Sequence, residues 1–177
     1  MARIHDPPVR PWRFLVSTNR GLEAIASAEL AELGLDQPEK LYPGMVECAG
    51  PPQAIPRLNT DGRTIHRVLL ELGRGDCHSL AEIATLVQRV DLPRYLDTDQ
   101  SFAVRAQRRG DHPFESPDVE SRVGQAIVES YEGNDRPPVD LDTPDSIVRV
   151  FVREELTIVT LDTTGQRSLH RRQQRVV

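Results

Sequence analysis

The sequence predicts a small α+β protein. Short apolar segments rich in β-branched residues alternate with segments whose apolar positions recur at helical spacing, and Gly, Pro and Asn separate the two types. A chain of 177 residues, 38% of them hydrophobic, is long enough for one good core or two small ones. No apolar run approaches the roughly 20 residues that span a bilayer, so we expect one or two compact units in the cytoplasm.

The chain begins with a predicted leader, residues 1–13, which lacks the apolar middle section of a secretory signal. Aromatic and β-branched residues predict a first strand over Trp12–Thr18. Apolar positions that fall on one face predict a helix from Gly21 to Leu33, and Gly34 ends it. A strand followed by a helix therefore opens the fold.

The next elements complete a first unit. A turn at Pro43-Gly44 leads into a predicted strand over residues 45–48, and a short helical turn is expected over 54–59. The alternation of apolar residues over 67–72 predicts another strand. The resulting order, β-α-β-(α)-β, is ferredoxin-like, and we place this unit at residues 14–72.

The second half of the chain opens with a break in the strand pattern over residues 73–77. Ser79 and Glu82 form a capping box, with the Glu82 side chain expected to accept from the Ser79 amide. A strand follows at residues 101–106, and its alternation places Ala103 on the solvent side.

A second helix is predicted from Ser116, with this serine as its N-cap and a proline next to it. Residues 147–152 and 156–161 flank a short turn and predict a β-hairpin. We therefore expect a second unit at residues 73–165, with helices on one face of a mixed sheet, and a basic segment at 166–177.

The sequence carries no local signature of catalysis. G-x-S-x-G, P-loop, H-E-x-x-H and Cys-x-x-Cys motifs are absent. Cys48 and Cys77 are expected to be small buried thiols, and no metal site is predicted. Asp140, Asp142 and Asp145 are crowded enough to bind a hard cation, but a loop broken by prolines favours solvated turn residues. Whether the chain is an enzyme by itself stays open.

The positively charged residues indicate a function more clearly than the cysteines and aspartates do. The formal charge is −5, yet arginine supplies 21 of the 22 basic residues, which favours bidentate contacts with phosphate. A salt-adapted or GC-rich source would give the same composition, and a solvated basic face is an equally good interpretation from charge alone. The candidate phosphate-binding residues are Arg105, Arg108, Arg109, His112, Arg122, Arg153, Arg167, His170, Arg171 and Arg172.

Several sequence strings occur in an order that is similar to a known family. They are GLE (21–23), RVLLEL (67–72), FAVR (102–105), GQAI (124–127), LDTPD (141–145) and LDTTG (161–165), which leads to LHRR (169–172). In this order the chain resembles the N-terminal ferredoxin-like plus THUMP region of RNA methyltransferases that methylate guanine N2 in tRNA or rRNA. The tail departs from the family pattern L-H-[KR]-R-G-Y-R at Gln173 and Gln174.

The resemblance implies that residues 73–165 are a THUMP domain that binds the end of a folded RNA, the acceptor end in tRNA enzymes. It also implies a separate catalytic domain, in cis or in trans, that uses S-adenosylmethionine. The glycine-rich cofactor turn and the Asn/Asp-Pro-Pro-aromatic motif of that domain are not in this sequence, so we expect no cofactor here. Two alternatives stay open: a ferredoxin-like regulatory or dimerisation module that binds a metabolite or a protein, and the THUMP module of a thiolating, deaminating or pseudouridine-forming enzyme.

Overall fold

The structure, a computed structural model, describes residues 11–133, 135–165 and 168–169. In these ranges, seven strands form one mixed sheet and four α-helices pack against it, as expected for an α+β protein. No helix there is long and apolar enough to cross a bilayer. The elements are β1 (Trp12–Thr18), α1 (Glu23–Glu32), β2 (Asp36–Tyr42), β3 (Met45–Gly50), α2 (Ala54–Asp61), β4 (Ile65–Asp76), α3 (Leu80–Gln88), a 3-10 helix (Leu92–Arg94), β5 (Phe102–Arg109), α4 (Ser116–Glu129), β6 (Ser146–Arg153) and β7 (Leu156–Asp162).

The sheet continues through both halves of the chain in the order β2-β3-β1-β4-β7-β6-β5. β5 and β6 are parallel, and every other neighbouring pair is antiparallel. β4 pairs with β7 from Leu69 opposite Asp162 to Asp76 opposite Leu156. This central pairing joins the first four strands to the last three, so that the expected mixed sheet is shared by the two units.

The first half has the ferredoxin-like order β-α-β-β-α-β, with one strand that the sequence did not predict. β2 reads DQPEKLY and is largely exposed, because it lies at the edge of the sheet. An edge strand with few apolar contacts needs no alternation of apolar and polar residues, and Pro38 is tolerated there. β2 therefore lacks the sequence pattern that made β1 predictable.

Two predictions about the strands of the second half were wrong. β4 continues through the expected break at residues 73–77, because its backbone pairs with β7 as far as Asp76. Gly73 suits this strand, since a Cβ there would lie 3.3 Å from Val90. Ala103, expected on the solvent side, is fully buried. The chain segment next to it covers this end of β5, where the Phe102 N–H donates to the Pro138 carbonyl oxygen at 2.9 Å.

The helix caps differ in detail from the predicted ones. The Ser79 hydroxyl accepts from the Glu82 N–H as predicted, but Glu82 itself accepts from the His78 N–H at 2.6 Å. The N-cap of α4 is Glu115 rather than Ser116, and the Glu115 N–H donates to the Asp118 carboxylate at 2.7 Å.

The first turns of α4 also cover the outer edge of β5. The Ser116 hydroxyl accepts from the Arg108 N–H at 3.3 Å, and the Glu120 carboxylate accepts from the Ala106 N–H at 2.9 Å. The Ser116 hydroxyl is thus hydrogen-bonded to the backbone of β5, which explains why it does not cap its own helix.

The helices pack on one face of the sheet and form two joined cores. α1 and α2 cover Phe14 and Val16, whereas α3 and α4 cover Phe102 and other residues of the last three strands. Leu161 of β7 contacts both cores, so they are continuous. The thiols of Cys48 and Cys77 are buried and free, as predicted, and burial raises the pKa of Cys48 to about 12.

No helix of the described ranges covers the opposite face, yet this face also buries apolar side chains. Leu15, Met45, Leu69, Phe151 and Ile158 form a third cluster there, each at most 5% exposed. The end of β2 contributes Tyr42, whose ring lies 6.5 Å from that of Phe151. The two ends of the sheet therefore approach each other across this helix-free face.

Glu23 fastens the start of α1 to the turn between β2 and β3. Its carboxylate accepts from the N–H groups of Gly44 at 2.7 Å and Gly21 at 3.1 Å. These hydrogen bonds lower the pKa of Glu23 from 4.5 to about 2. The charged carboxylate therefore stabilises the fold above its unfolded pKa, and this stabilisation is lost as the pH falls towards 2.

We expect Glu23→Gln to lower the melting temperature at neutral pH and to flatten its dependence on pH. The wild-type chain should lose part of its advantage over the variant between pH 4.5 and about 2, where Glu23 becomes protonated in the two states. Thermal unfolding followed by circular dichroism across this range measures the difference. Parallel curves for the two proteins would show that Glu23 does not have this role.

Candidate nucleic-acid interface

A groove of about 350 Å³ lies on the helix-free face and is lined by four arginines. We call it the arginine groove and define it by Arg20, Arg67, Arg149 and Arg153, with His66 beside them. Among the described residues that line it, none is Asp or Glu. Such a concentration of positive charge is notable because the whole chain has a formal charge of −5.

Strand alternation explains why β6 contributes two of these arginines. β6 reads SIVRVFVR, and Val148, Val150 and Val152 enter the helix-side core. The residues between them point to the other face, because successive side chains of a strand alternate. Arg149 and Arg153 therefore flank Phe151, which belongs to the apolar floor of the groove.

Two of the arginines share one buried carboxylate. Arg67 donates from Nη1 and Arg149 from Nε to the same oxygen, Oδ2 of Asp162, and both distances are 2.7 Å. The Asp162 side chain is completely buried beneath them, and Arg67 also donates to the Gly165 carbonyl oxygen at 2.7 Å. These bonds fix the two guanidiniums at the side of the groove formed by β4, β6 and β7.

Arg153 is held by an aromatic ring from the other half of the molecule. Its guanidinium carbon lies 3.6 Å from the centre of the Tyr42 ring, a distance typical of a cation–π contact. Burial raises the pKa of Tyr42 to about 12, against the opposing effect of the Arg153 charge, so the phenol stays neutral. The groove is thus built jointly by the first strands and the last hairpin.

The structure separates the predicted cluster of Arg105, Arg108 and Arg109. All three lie within β5 rather than in a loop after it, so alternation places Arg108 on the opposite face from the other two. Arg105 lies beside Arg149, and Arg109 beside Arg153, in the parallel pairing of β5 with β6. Arg105 and Arg109 thus extend the row of arginines from the groove to the sheet edge.

The remaining predicted residues lie elsewhere. Arg108 contacts Glu115 at 2.7 Å, and Arg122 lies 3.7 Å from Glu129 on the helix side. His112 donates from Nε2 to the Glu154 carbonyl oxygen at 2.6 Å. Arg153 is the predicted residue that lines the groove itself. Arg167, His170, Arg171 and Arg172 lie outside the described residues.

Sequence reasoning missed Arg20, Arg67 and Arg149. The alternation of arginine and valine in β6 was a usable signal for Arg149, because a buried strand face predicts an opposite face for the residues between. No comparable local signal marks Arg20 or Arg67. They reach the groove through the pairing of β1 with β4 and of β4 with β7, which are long-range contacts.

Asp140 and Asp145 stabilise the loop before β6. Asp140 accepts from the N–H groups of Asp142 and Thr143, and Asp145 accepts from the hydroxyl and N–H of Ser101. These bonds lower the pKa of both carboxyls. In the described ranges, no group of three or more His, Cys, Asp or Glu residues is arranged to hold a metal ion.

Two family models match the chain. Residues 13–69 match the RlmL ferredoxin-like domain, and residues 77–162 match the THUMP domain. The arginine groove contains residues from both matched ranges, because Arg20 and Arg67 lie in the first range and Arg149 and Arg153 in the second.

Known proteins similar to the chain include methyltransferases. The tRNA (guanine(6)-N2)-methyltransferase of Methanocaldococcus jannaschii is 36% identical over 168 residues, which cover 92% of this chain and 44% of that protein. The crystal structure of TrmN from Thermus thermophilus is 31% identical, with a TM-score of 0.74 over 90% of this chain and 48% of that one. SMU.472, solved in complex with SAH, shares the fold at 22% identity and a TM-score of 0.79 over 96% of this chain and 45% of that one. The chain therefore spans less than half the length of each of these proteins.

Proposed function

We propose that the chain, which matches the RlmL ferredoxin-like domain over residues 13–69 and the THUMP domain over residues 77–162, is the RNA-binding part of a tRNA guanine-N2 methyltransferase. The observation that carries the proposal is the arginine groove, a basic surface whose described lining holds no Asp or Glu, on a chain of net negative charge. Arginine clusters bind phosphate groups through several N–H donors at once. RNA backbone is the phosphate-rich ligand that fits such a surface.

A partly exposed aromatic ring at the side of the groove favours a single-stranded end over a regular duplex. Leu69 and Phe151 are almost completely buried beneath the groove, whereas the ring of Tyr42 lies at one side and is partly exposed. Unpaired bases can lie on apolar and aromatic surfaces while their phosphates contact arginines, whereas bases in a duplex are already stacked. We therefore propose that the groove binds the single-stranded acceptor end of tRNA.

Of the residues predicted from the sequence, Arg105, Arg109 and Arg153 fit this proposal best. All three lie on the groove face, where they can contact the RNA backbone as it leaves the groove. Arg109 is exposed, whereas the Arg105 guanidinium already donates to the carbonyl oxygens of Val104 at 3.0 Å and Leu141 at 2.5 Å and has only its remaining donors for RNA. Arg108 and Arg122 already have carboxylate partners on the helix side. We also propose that the RNA contacts a basic segment after the THUMP match, formed by Arg167, His170, Arg171 and Arg172.

We assign the methyl-transfer chemistry to a separate catalytic domain that binds S-adenosylmethionine. The described residues do not fit this cofactor. The parallel strands β5 and β6 are connected through α4, but Glu115 and Asp118 occupy the first amides of that helix. A helix start capped by its own side chains does not offer amides to an anionic group of a ligand. The catalytic domain would act in cis or in trans.

Binding to two forms of one tRNA tests the proposal. We expect the chain to bind a transcript with its single-stranded 3′ end roughly 10- to 100-fold more tightly than one without it, because several stacking and phosphate contacts are lost. Affinity for the intact transcript should fall about 50-fold between roughly 50 and 200 mM salt if four arginines contact phosphates.

A gel shift at these salt concentrations measures both effects. A duplex RNA without unpaired ends and an rRNA fragment serve as competitors. Equal affinity for both tRNA forms would contradict recognition of the acceptor end. Stronger competition by the rRNA fragment would instead point to ribosomal RNA as the substrate.

A further inference from the structure

The carboxylate of Asp162 is buried beneath the arginine groove. Asp162 lies directly beneath Arg67 and Arg149, and its side chain is completely buried. By charge alone, a negative group at this position would repel a phosphate and weaken its binding. Asp162 must therefore contribute something else if the groove binds RNA.

The contacts of Asp162 hold its backbone and its side chain in one position. It is the last residue of β7, and its backbone pairs opposite Leu69 of β4. Its second carboxylate oxygen, Oδ1, accepts from the Thr164 N–H at 3.0 Å. Both oxygens are thus engaged, and neither the backbone nor the side chain can move without breaking these bonds.

Asp162 orients the two arginines, and it occupies only one donor of Arg149. A guanidinium carries five N–H donors, and Arg149 uses only its Nε toward Asp162. Within the described part of the chain, Arg149 donates to no other residue. Because Arg67 and Arg149 bond to the same oxygen, their guanidiniums lie side by side, close enough for one phosphate to contact both.

We propose that Asp162 is a positioning residue that holds Arg149 and Arg67 as a preformed clamp for one backbone phosphate of the RNA. This inference rests on the proposed function of the groove. A long arginine side chain loses rotamer freedom when it binds a ligand, and an arginine that is already ordered loses less. The gain from ordering exceeds the repulsion between Asp162 and the phosphate, because each guanidinium lies between the two anions.

The substitution Asp162→Asn distinguishes this role from simple repulsion, because the two predict opposite signs. The variant keeps the size of the side chain but adds one net positive charge to the groove. If Asp162 only repels phosphate, the variant binds tRNA more tightly and depends more steeply on salt. If Asp162 positions the arginines, we expect roughly tenfold weaker binding, and a slope of log affinity against log salt that is shallower by about 0.7 for one lost phosphate contact.

Fluorescence anisotropy with labelled tRNA over a salt series measures affinity and slope together. Asp99→Asn is the matched control, since Asp99 is exposed and the change in charge is the same. We expect this control to bind within about twofold of the wild type. Tighter binding by Asp162→Asn with a steeper slope would overturn the proposal.

A second variant keeps the test decisive if Asp162→Asn unfolds. Arg149→Lys keeps the charge and Asp162, but lysine cannot donate from an Nε to the carboxylate while its ammonium group contacts a phosphate. We expect roughly fivefold weaker binding at an unchanged melting temperature, and unchanged affinity would contradict the clamp.

The same experiments separate this inference from the proposed function. If Arg153→Glu leaves tRNA affinity unchanged, the groove is not the RNA site, and the proposed function is wrong. If Arg153→Glu weakens binding while Asp162→Asn strengthens it, the groove binds RNA and only the positioning role of Asp162 is wrong.

Discussion

Reversing the charge of Arg20 and Arg153 together is expected to weaken the affinity of the chain for tRNA by at least roughly 100-fold. Each arginine would lose a charge-assisted contact with phosphate, worth about 1.5–3 kcal/mol, and each new carboxylate would repel the backbone. Arg20 is exposed and Arg153 lies over the Tyr42 ring, so the double variant Arg20→Glu/Arg153→Glu should still fold. Filter binding at low and moderate salt measures the loss.

A matched double variant controls for net charge. Arg57→Glu/Arg94→Glu changes the charge by the same amount, and both residues are exposed on the helix-covered side. We expect this variant to lose less than about tenfold in affinity, since exposed charges more than a Debye length of roughly 8–10 Å from the RNA are largely screened. Equal losses in the two double variants would mean that tRNA responds to total charge rather than to the groove.

Removing the Phe102 side chain is expected to destabilise the whole chain, including the half that begins three strands away at β4. Phe102 is completely buried in the core under α3 and α4, and a Phe→Ala change at such a site costs about 3–5 kcal/mol. Because β4 pairs with β7 and Leu161 contacts both cores, the two halves should unfold together. Trp12, the single tryptophan, lies in β1 of the first half, and its ring also contacts that of Tyr95 at 6.4 Å.

Urea unfolding followed by circular dichroism and by Trp12 fluorescence checks this prediction. Both signals should change at the same urea concentration in the wild type and in Phe102→Ala, and at a lower concentration in the variant. Leu141→Ala is the control, because Leu141 is 62% exposed and its loss should change stability by less than about 0.5 kcal/mol. If the midpoint of the Trp12 fluorescence transition stays at the wild-type urea concentration while the midpoint from circular dichroism falls, the two halves are independent domains.

Local patterns in the sequence predicted the elements whose apolar side chains pack into a core. β1 occupies the predicted residues because Phe14 and Val16 enter the helix-side core while Leu15 between them enters the cluster on the opposite face. α4 was predictable from its apolar stripe, although its cap was not, since the choice between Glu115 and Ser116 depends on a bond from Ser116 to the distant backbone of β5. Edge strand β2 had no comparable pattern, because nothing packs on most of its side chains.

The arginine groove could be predicted only in part, because its residues come from distant points of the chain. Arg153 was among the candidate phosphate-binding residues predicted from the sequence. Its neighbour in the groove, Arg20, follows β1 and comes close only because the sheet brings its two ends together across Phe151 and Tyr42. Asp162 was visible in the sequence as part of LDTTG, but its contact with Arg67 depends on the pairing of β4 with β7.

The hydrogen bonds that α4 makes to β5 also affect how the protein behaves at high concentration. An edge strand with open N–H groups can pair with a strand of another molecule and start aggregation. In β5, Ser116 and Glu120 occupy the N–H groups of Arg108 and Ala106, and at the other edge β2 carries Pro38 among acidic residues. Both borders of the sheet are thus protected against intermolecular strand addition, and the protein should remain monodisperse while its arginine groove stays accessible.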